Sequence, residues 1–267
     1  MNKRAVAAIS NVIGFVVVIV MNTLAVVLPL NNKTTGELSD QYPNLFTPAG
    51  FTFSIWSVIY LALLLFIIYQ TWMLFKKRKG ADDILSITPY FLLSCLANAS
   101  WIAAWHYEQV MLSVIIMLVL LGSLIIIHNR LSLALAWRPL SDKLLVDFPF
   151  SIYFGWITIA TVANMTALLV SQNVRPLGLS EVIWTNVVIA VATLITLLVL
   201  FTRRNVFYSL VPCWAFYGII IKNKSVAAEG ADSIIMVAEI CIGVILLACV
   251  VSFIFIKNST RRRELQS

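Results

Sequence analysis

Eight apolar runs, nearly all long enough to cross a bilayer, follow one another through this chain with mostly short polar connections between them. They lie at about 5–30, 51–75, 84–105, 110–127, 144–170, 181–201, 206–221 and 231–256. A helix needs roughly 20 apolar residues to traverse the hydrocarbon core, and in lipid only helices and closed barrels satisfy their own backbone. Continuous rather than alternating runs select helices. The seventh is the weakest, being short and holding Pro212. A chain with 61% hydrophobic and 12% charged residues departs far from soluble composition, which is about 25% charged. The expectation is an all-α polytopic membrane protein without a soluble domain.

Basic residues set the expected orientation, because cytoplasmic segments carry the excess of Lys and Arg. With the N-terminus inside, fifteen basic residues fall on inner segments and four (Lys33, Arg175, Lys222 and Lys224) on outer ones, which accounts for all 19. Losing one span would spoil that alternation, so eight helices with both termini cytoplasmic are expected. The net charge of +7 then reports topology and contact with anionic lipid headgroups, not nucleic acid. Cys95, Cys213, Cys241 and Cys249 sit in spans at scattered spacing, so neither a disulfide framework nor a zinc site is indicated. The first run is longer than a signal-peptide core and reads as a retained helix.

Three spans carry aromatic and polar stripes at i, i+3, i+7: Phe53-Trp56-Tyr60, Asn98-Trp101-Trp105 and Tyr153-Trp156-Ala160, the last extended by Asn164. At 100° per residue each trio occupies an arc of about 60°. Amides inside a span should face protein or ligand rather than lipid. Counting 1.5 Å per residue from the outer ends puts Trp56 about 8 Å deep, Asn98 about 10 Å and Asn164 about 9 Å. The stripes therefore converge in the outer half of the bilayer, below the longest outer connection, 31–50, which Pro43, Pro48 and Gly50 keep from continuing as helix. That is the anatomy of a pocket walled by indole, phenol and amide groups.

On these residues the chain resembles the TspO/MBR family, the translocator protein and tryptophan-rich sensory proteins. Trp56 and Tyr60 match the Trp-x3-Tyr of that family's second helix, Asn98 and Trp101 the Asn-x2-Trp of its third. Tyr153, Trp156, Ala160, Thr161 and Asn164 match the Tyr-x2-Trp-x3-Ala-Thr-x2-Asn of its fifth. The match covers roughly 5–170. It implies a five-helix bundle binding flat hydrophobic ligands such as porphyrins or sterols in a cavity lined by helices two to five. It also implies a bacterial inner membrane as the location. Residues 1–170 would form that bundle, and 171–267 an extension of three further helices with a basic tail. Departures include Met117 where the family usually has aspartate, and Met165-Thr166-Ala167 in place of a sterol-recognition element.

Other features admit plainer readings. Trp105 and Tyr107 are most simply interfacial belt residues. Glu239 is the one carboxylate deep in a span and would mark a proton path. Asp147 is expected to pair with Lys143 or Arg138 near the inner end of span five. His106 and His128 lie on opposite sides of the membrane, which excludes a His-pair metal site, though His106 could serve a haem-like ligand as axial donor. No Gly-x-Ser-x-Gly, HExxH or Walker motif argues for catalysis. No GxxxG sets a dimer face, and a homodimer stays open. Three functions follow: a sensor or carrier of a planar, tetrapyrrole-like ligand; a proton-coupled transporter using Glu239; or a light-dependent tetrapyrrole-degrading enzyme.

Overall fold

The computed structural model describes residues 3–28, 30–76, 81–131, 139–174, 178–226 and 229–264, with side chains as far as Ile254. Among the described residues eight helices are long and apolar enough to cross a membrane, and no strand occurs. They are α1 (Lys3–Val27), α2 (Ile55–Phe75), α3 (Ala81–His106), α4 (Val110–Leu131), α5 (Phe148–Ser171), α6 (Glu181–Arg203), α7 (Val206–Val226) and α8 (Ala231–Glu264). The doubtful seventh run is thus an unbroken helix of 21 residues, passing through Pro212. The basic segment 77–80 and Arg138 lie outside the described residues.

The first five helices form a ring: α1 against α2 and α3, α3 against α4, α4 against α5, and α5 back against α2. Phe66, Phe91 and Phe150 meet edge to face at 4.8–6.0 Å and join α2, α3 and α5. Buried amides add direction to this apolar packing. Asn11 on α1 donates to Gln70 on α2 at 2.8 Å and to Thr88 on α3 at 3.3 Å. Before α5 the chain widens into a π turn, Lys143–Asp147, closed by the Phe148 N–H on the Lys143 carbonyl. Pro149, which cannot donate to the carbonyl four residues back, follows directly. Asp147 is buried in that turn.

Helices α6 and α8 pack on α7 and on each other, and α7 alone of the three lies broadly against the ring, along α5. Two sequence details make that contact close. Pro212 has no N–H for the Tyr208 carbonyl four residues earlier. Gly155 on α5 faces that carbonyl, and a Cβ there would sit 2.9 Å from its oxygen. At the loop joining α6 to α7, Asn205 accepts from the Tyr208 N–H at 3.0 Å and donates to Ser151 on α5 at 2.8 Å.

Candidate functional site

The connection between α1 and α2 folds over one end of the ring as a lid. Its short helix Thr35–Asp40 starts in a reciprocal cap: Glu37 accepts from the Thr34 N–H at 2.7 Å and its hydroxyl at 2.8 Å, and Thr34 accepts from the Glu37 N–H at 3.3 Å. The Thr34 backbone N–H and then its hydroxyl hold the Glu37 carboxyl below the usual carboxylate range. Asn44 organises the next bend by accepting from the N–H groups of Phe46 and Thr47. Leu38 and Phe46 are buried as anchors.

Two groups of helices grip this lid. From α3, Trp105 donates to the Thr35 carbonyl at 3.4 Å, and the His106 carbonyl accepts from Asn31 at 3.0 Å. Glu108, just beyond α3, pairs with Lys33 at 2.8 Å. From α7, Trp214 donates to the Thr52 carbonyl at 3.0 Å, Asn223 to the Leu45 carbonyl at 3.0 Å, and Lys222 pairs with Asp40 at 2.6 Å. The Gly218 carbonyl accepts from the Ala49 N–H at 3.1 Å. Glu181, opening α6, accepts from the Leu45 N–H at 2.9 Å.

Beneath the lid lies a small cavity of about 40 Å³, roofed by Thr35, Ser39 and Pro48. Of the nine expected ligand-binding residues, Phe53, Trp56, Trp101, Trp156, Ala160 and Asn164 line it. Of the other three, Asn98 and Tyr153 stand behind the wall, and Tyr60 borders the groove on its far side. Tyr60 stacks on Trp56 with ring centroids 5.3 Å apart, Tyr153 meets Trp56 edge to face at 6.1 Å, and Asn98 donates to the Tyr153 hydroxyl at 3.0 Å while accepting from Asn22 at 2.8 Å. Trp105 is corrected by the structure: it is buried, stacks on Trp101 at 5.8 Å and lines the cavity. Its place one turn beyond Trp101 in the stripe was the signal. Tyr107, by contrast, is exposed at the helix end as a belt residue would be. Ile159 and Ala163 complete the α5 wall one turn from Trp156 and Ala160.

Hydrogen bonding separates the polar groups of the wall into two kinds. Asn164 is engaged on both sides, accepting from the Trp101 indole at 2.9 Å and donating to Ser113 on α4 at 2.9 Å. The Trp156 indole N–H is buried and has no acceptor among the described residues. Its ring meets Phe53 and Trp56 edge to face at 6.0 and 6.1 Å. Phe53, Trp56 and Thr35 have a second side: they also border an open groove of about 620 Å³ running along α1 past Asn22, Val26 and Ile102. One indole and one phenyl ring thus stand between a small cavity and a much larger groove.

The remaining expected groups stand apart. His106 is wholly buried, with Nδ1 2.8 Å from the Ile102 carbonyl, and it is not among the cavity's lining residues. Glu239 is exposed on the outer face of α8, 3.7 Å from Lys224, rather than inside the bundle. Among the described residues no three His, Cys, Asp or Glu side chains gather as a metal-binding set.

No curated protein and no solved structure matches this chain significantly. A family model described as TSPO-like protein does match, over residues 8–251. That match does not stop at residue 170 but runs from α1 into α8, and the chain, an integral multi-pass membrane protein, belongs to the TSPO-like family.

Proposed function

We propose that the protein is a membrane receptor or carrier for a planar hydrophobic ligand of the tetrapyrrole class, held in the aromatic cavity beneath the lid. The observation that carries this reading is the unpaired Trp156 indole N–H, buried in walls made mostly of aromatic and aliphatic carbon. A buried donor without a partner is costly. A flat ligand with an acceptor on its ring or rim would satisfy it while stacking on the neighbouring indoles. The cavity of about 40 Å³ is far smaller than a usual small-molecule site of roughly 300–1,000 Å³. Binding therefore requires the lid, or the Phe53–Trp56 partition, to move and join the void to the groove beside it.

The basic-residue asymmetry supports cytoplasmic termini and, with them, a lid on the outer side. The tryptophan-rich sensory resemblance supports a bacterial inner membrane. In this reading residues 1–170 bind the ligand, and 171–267 restrain the lid through α6 and α7.

The test is tryptophan quenching and visible absorbance of purified protein titrated with protoporphyrin, in darkness and then in light, beside Trp156→Phe. Saturable micromolar binding is expected, weakened roughly three- to tenfold by loss of one neutral hydrogen bond. Bleaching in light that disappears in Trp156→Phe would turn the reading into that of a pigment-degrading enzyme. No saturable binding would refute the tetrapyrrole class.

A further inference from the structure

On the outer side of the bundle, away from the aromatic cavity, the lid-side ends of α7 and α8 frame a second groove of about 460 Å³. Asn223, Lys224, Asp232, Ile235, Met236 and Glu239 line it. Glu239 lies about 12 Å along α8 from its start, in the strip that turns Met236, Ile240 and Leu247 outward. A carboxylate facing lipid at that depth demands compensation. Lys224 supplies part of it at 3.7 Å, which is beyond ordinary hydrogen-bond length and leaves the carboxylate able to accept more. Asn223 adds an independent sign. It is 1% exposed, its amide nitrogen donates to the Leu45 and Ile219 carbonyls at 3.0 and 2.9 Å, and its Oδ1 has no donor among the described residues. Two carboxylates, one ammonium and the Asn223 side chain therefore border a groove beside the outward apolar strip of α8.

We propose that this groove binds an aminophospholipid of the surrounding leaflet. Its primary ammonium donates to Glu239, Asp232 and the Asn223 Oδ1, its phosphate meets Lys224, and its acyl chains run down the outward strip of α8. The donor count selects the class. A quaternary ammonium headgroup has the charge but no N–H to give. A purely anionic headgroup faces two carboxylates against one lysine.

The experiment is native mass spectrometry of the full chain released from nanodiscs containing equal phosphatidylethanolamine and phosphatidylcholine. The wild type, Glu239→Gln, Asp232→Asn and Lys224→Gln are compared, using only variants whose circular dichroism and elution match the wild type. Retained lipid enriched about tenfold in phosphatidylethanolamine is expected, falling toward parity in both carboxamide variants. Lys224→Gln should reduce retention of both lipids. Millimolar free phosphoethanolamine should leave the lipid bound, because the acyl chains contribute. Equal retention of the two lipids by the wild type, or unchanged preference in Glu239→Gln and Asp232→Asn, overturns the proposal. So does displacement by the free headgroup, or a dimer that dissociates in Glu239→Gln without change in lipid, which would give this face to a second copy of the chain.

Discussion

Gly218→Ala should loosen the lid while leaving α7 intact. A Cβ at Gly218 would stand 2.1 Å from the Thr52 hydroxyl, 2.9 Å from the Pro48 Cβ and 3.1 Å from the Thr52 Cβ. Rotating the hydroxyl relieves the first contact only. The Pro48 ring is fixed to its backbone, so the lid must retreat by a few tenths of an ångström or more. Retreat strains the Ala49 N–H bond to the Gly218 carbonyl at 3.1 Å and the Trp214 bond to the Thr52 carbonyl at 3.0 Å. At about 1 kcal/mol each, losing both raises the open population roughly 30-fold. Hydrogen exchange of the 45–54 amides reads this directly, and protoporphyrin association should quicken in parallel. The substitution also carries its own control. Alanine favours helix over glycine by about 1 kcal/mol, so α7 amides should exchange no faster. Unchanged exchange at 45–54 would refute the reasoning that α7 restrains the lid. Faster exchange throughout α7 would refute it as well, by showing general damage.

Three further outcomes test other parts of the structure. Asn164→Leu strands the Trp101 indole and removes the bond to Ser113, whose hydroxyl stays on the Val110 carbonyl, and at about 0.6 kcal/mol per intramembrane bond should cost about 1 kcal/mol of stability, read as a lower melting temperature with altered tryptophan emission. Gly155→Ala places a Cβ 2.9 Å from the Tyr208 carbonyl and 3.0 Å from the Val211 Cβ; because backbone cannot yield as a side chain can, a loss of about 1–3 kcal/mol is expected from overpacking, and unaltered thermal unfolding would show that α5 and α7 part freely. Glu37 has a folded-state pKa below its ordinary value, so its support for the lid helix is present above the ordinary carboxylate pKa and lost as pH falls through the depressed value. Exchange at Thr35–Asp40, corrected for intrinsic rate, should rise in that acid range and be insensitive to it in Glu37→Gln.

The number of helices was legible because span length and basic alternation are one-dimensional properties. The site was legible where a stripe repeats on one helix face, which is why Trp56, Trp101, Trp156 and Asn164 meet as expected. Trp105 escaped because a tryptophan near a helix end satisfies an interfacial belt and a shallow pocket equally well, and only the lid above it decides. Thr35, Ser39 and Pro48 belong to a connection without periodicity, so nothing in their order points at a cavity. The outward face of Glu239 was not legible, because α8 is apolar on every side through much of its span and one acid on such a helix does not say which face is outward. The work of α7 was hidden for a different reason: Gly155, Pro212 and Gly218 acquire meaning only from the atoms brought against them.

The contacts around the cavity also decide which of its sides is held most stiffly. On the inner wall Asn164 holds Trp101, and behind Trp56 Asn98 holds Tyr153. The roof is held by Trp105 on one side and by Trp214, Gly218 and Asn223 on the other. Phe53 and Trp56 are different: both are only partly buried, both touch void and groove, and neither has a side-chain hydrogen bond among the described contacts. Rotating a ring that is bound only by stacking breaks no hydrogen bond, whereas lifting the lid from α7 breaks at least two. On energetic grounds the partition yields before the roof. On the proposed reading, α6 and α7 make the roof the stiffer boundary, so that a hydrophobic ligand would exchange sideways along α1 rather than through the lid.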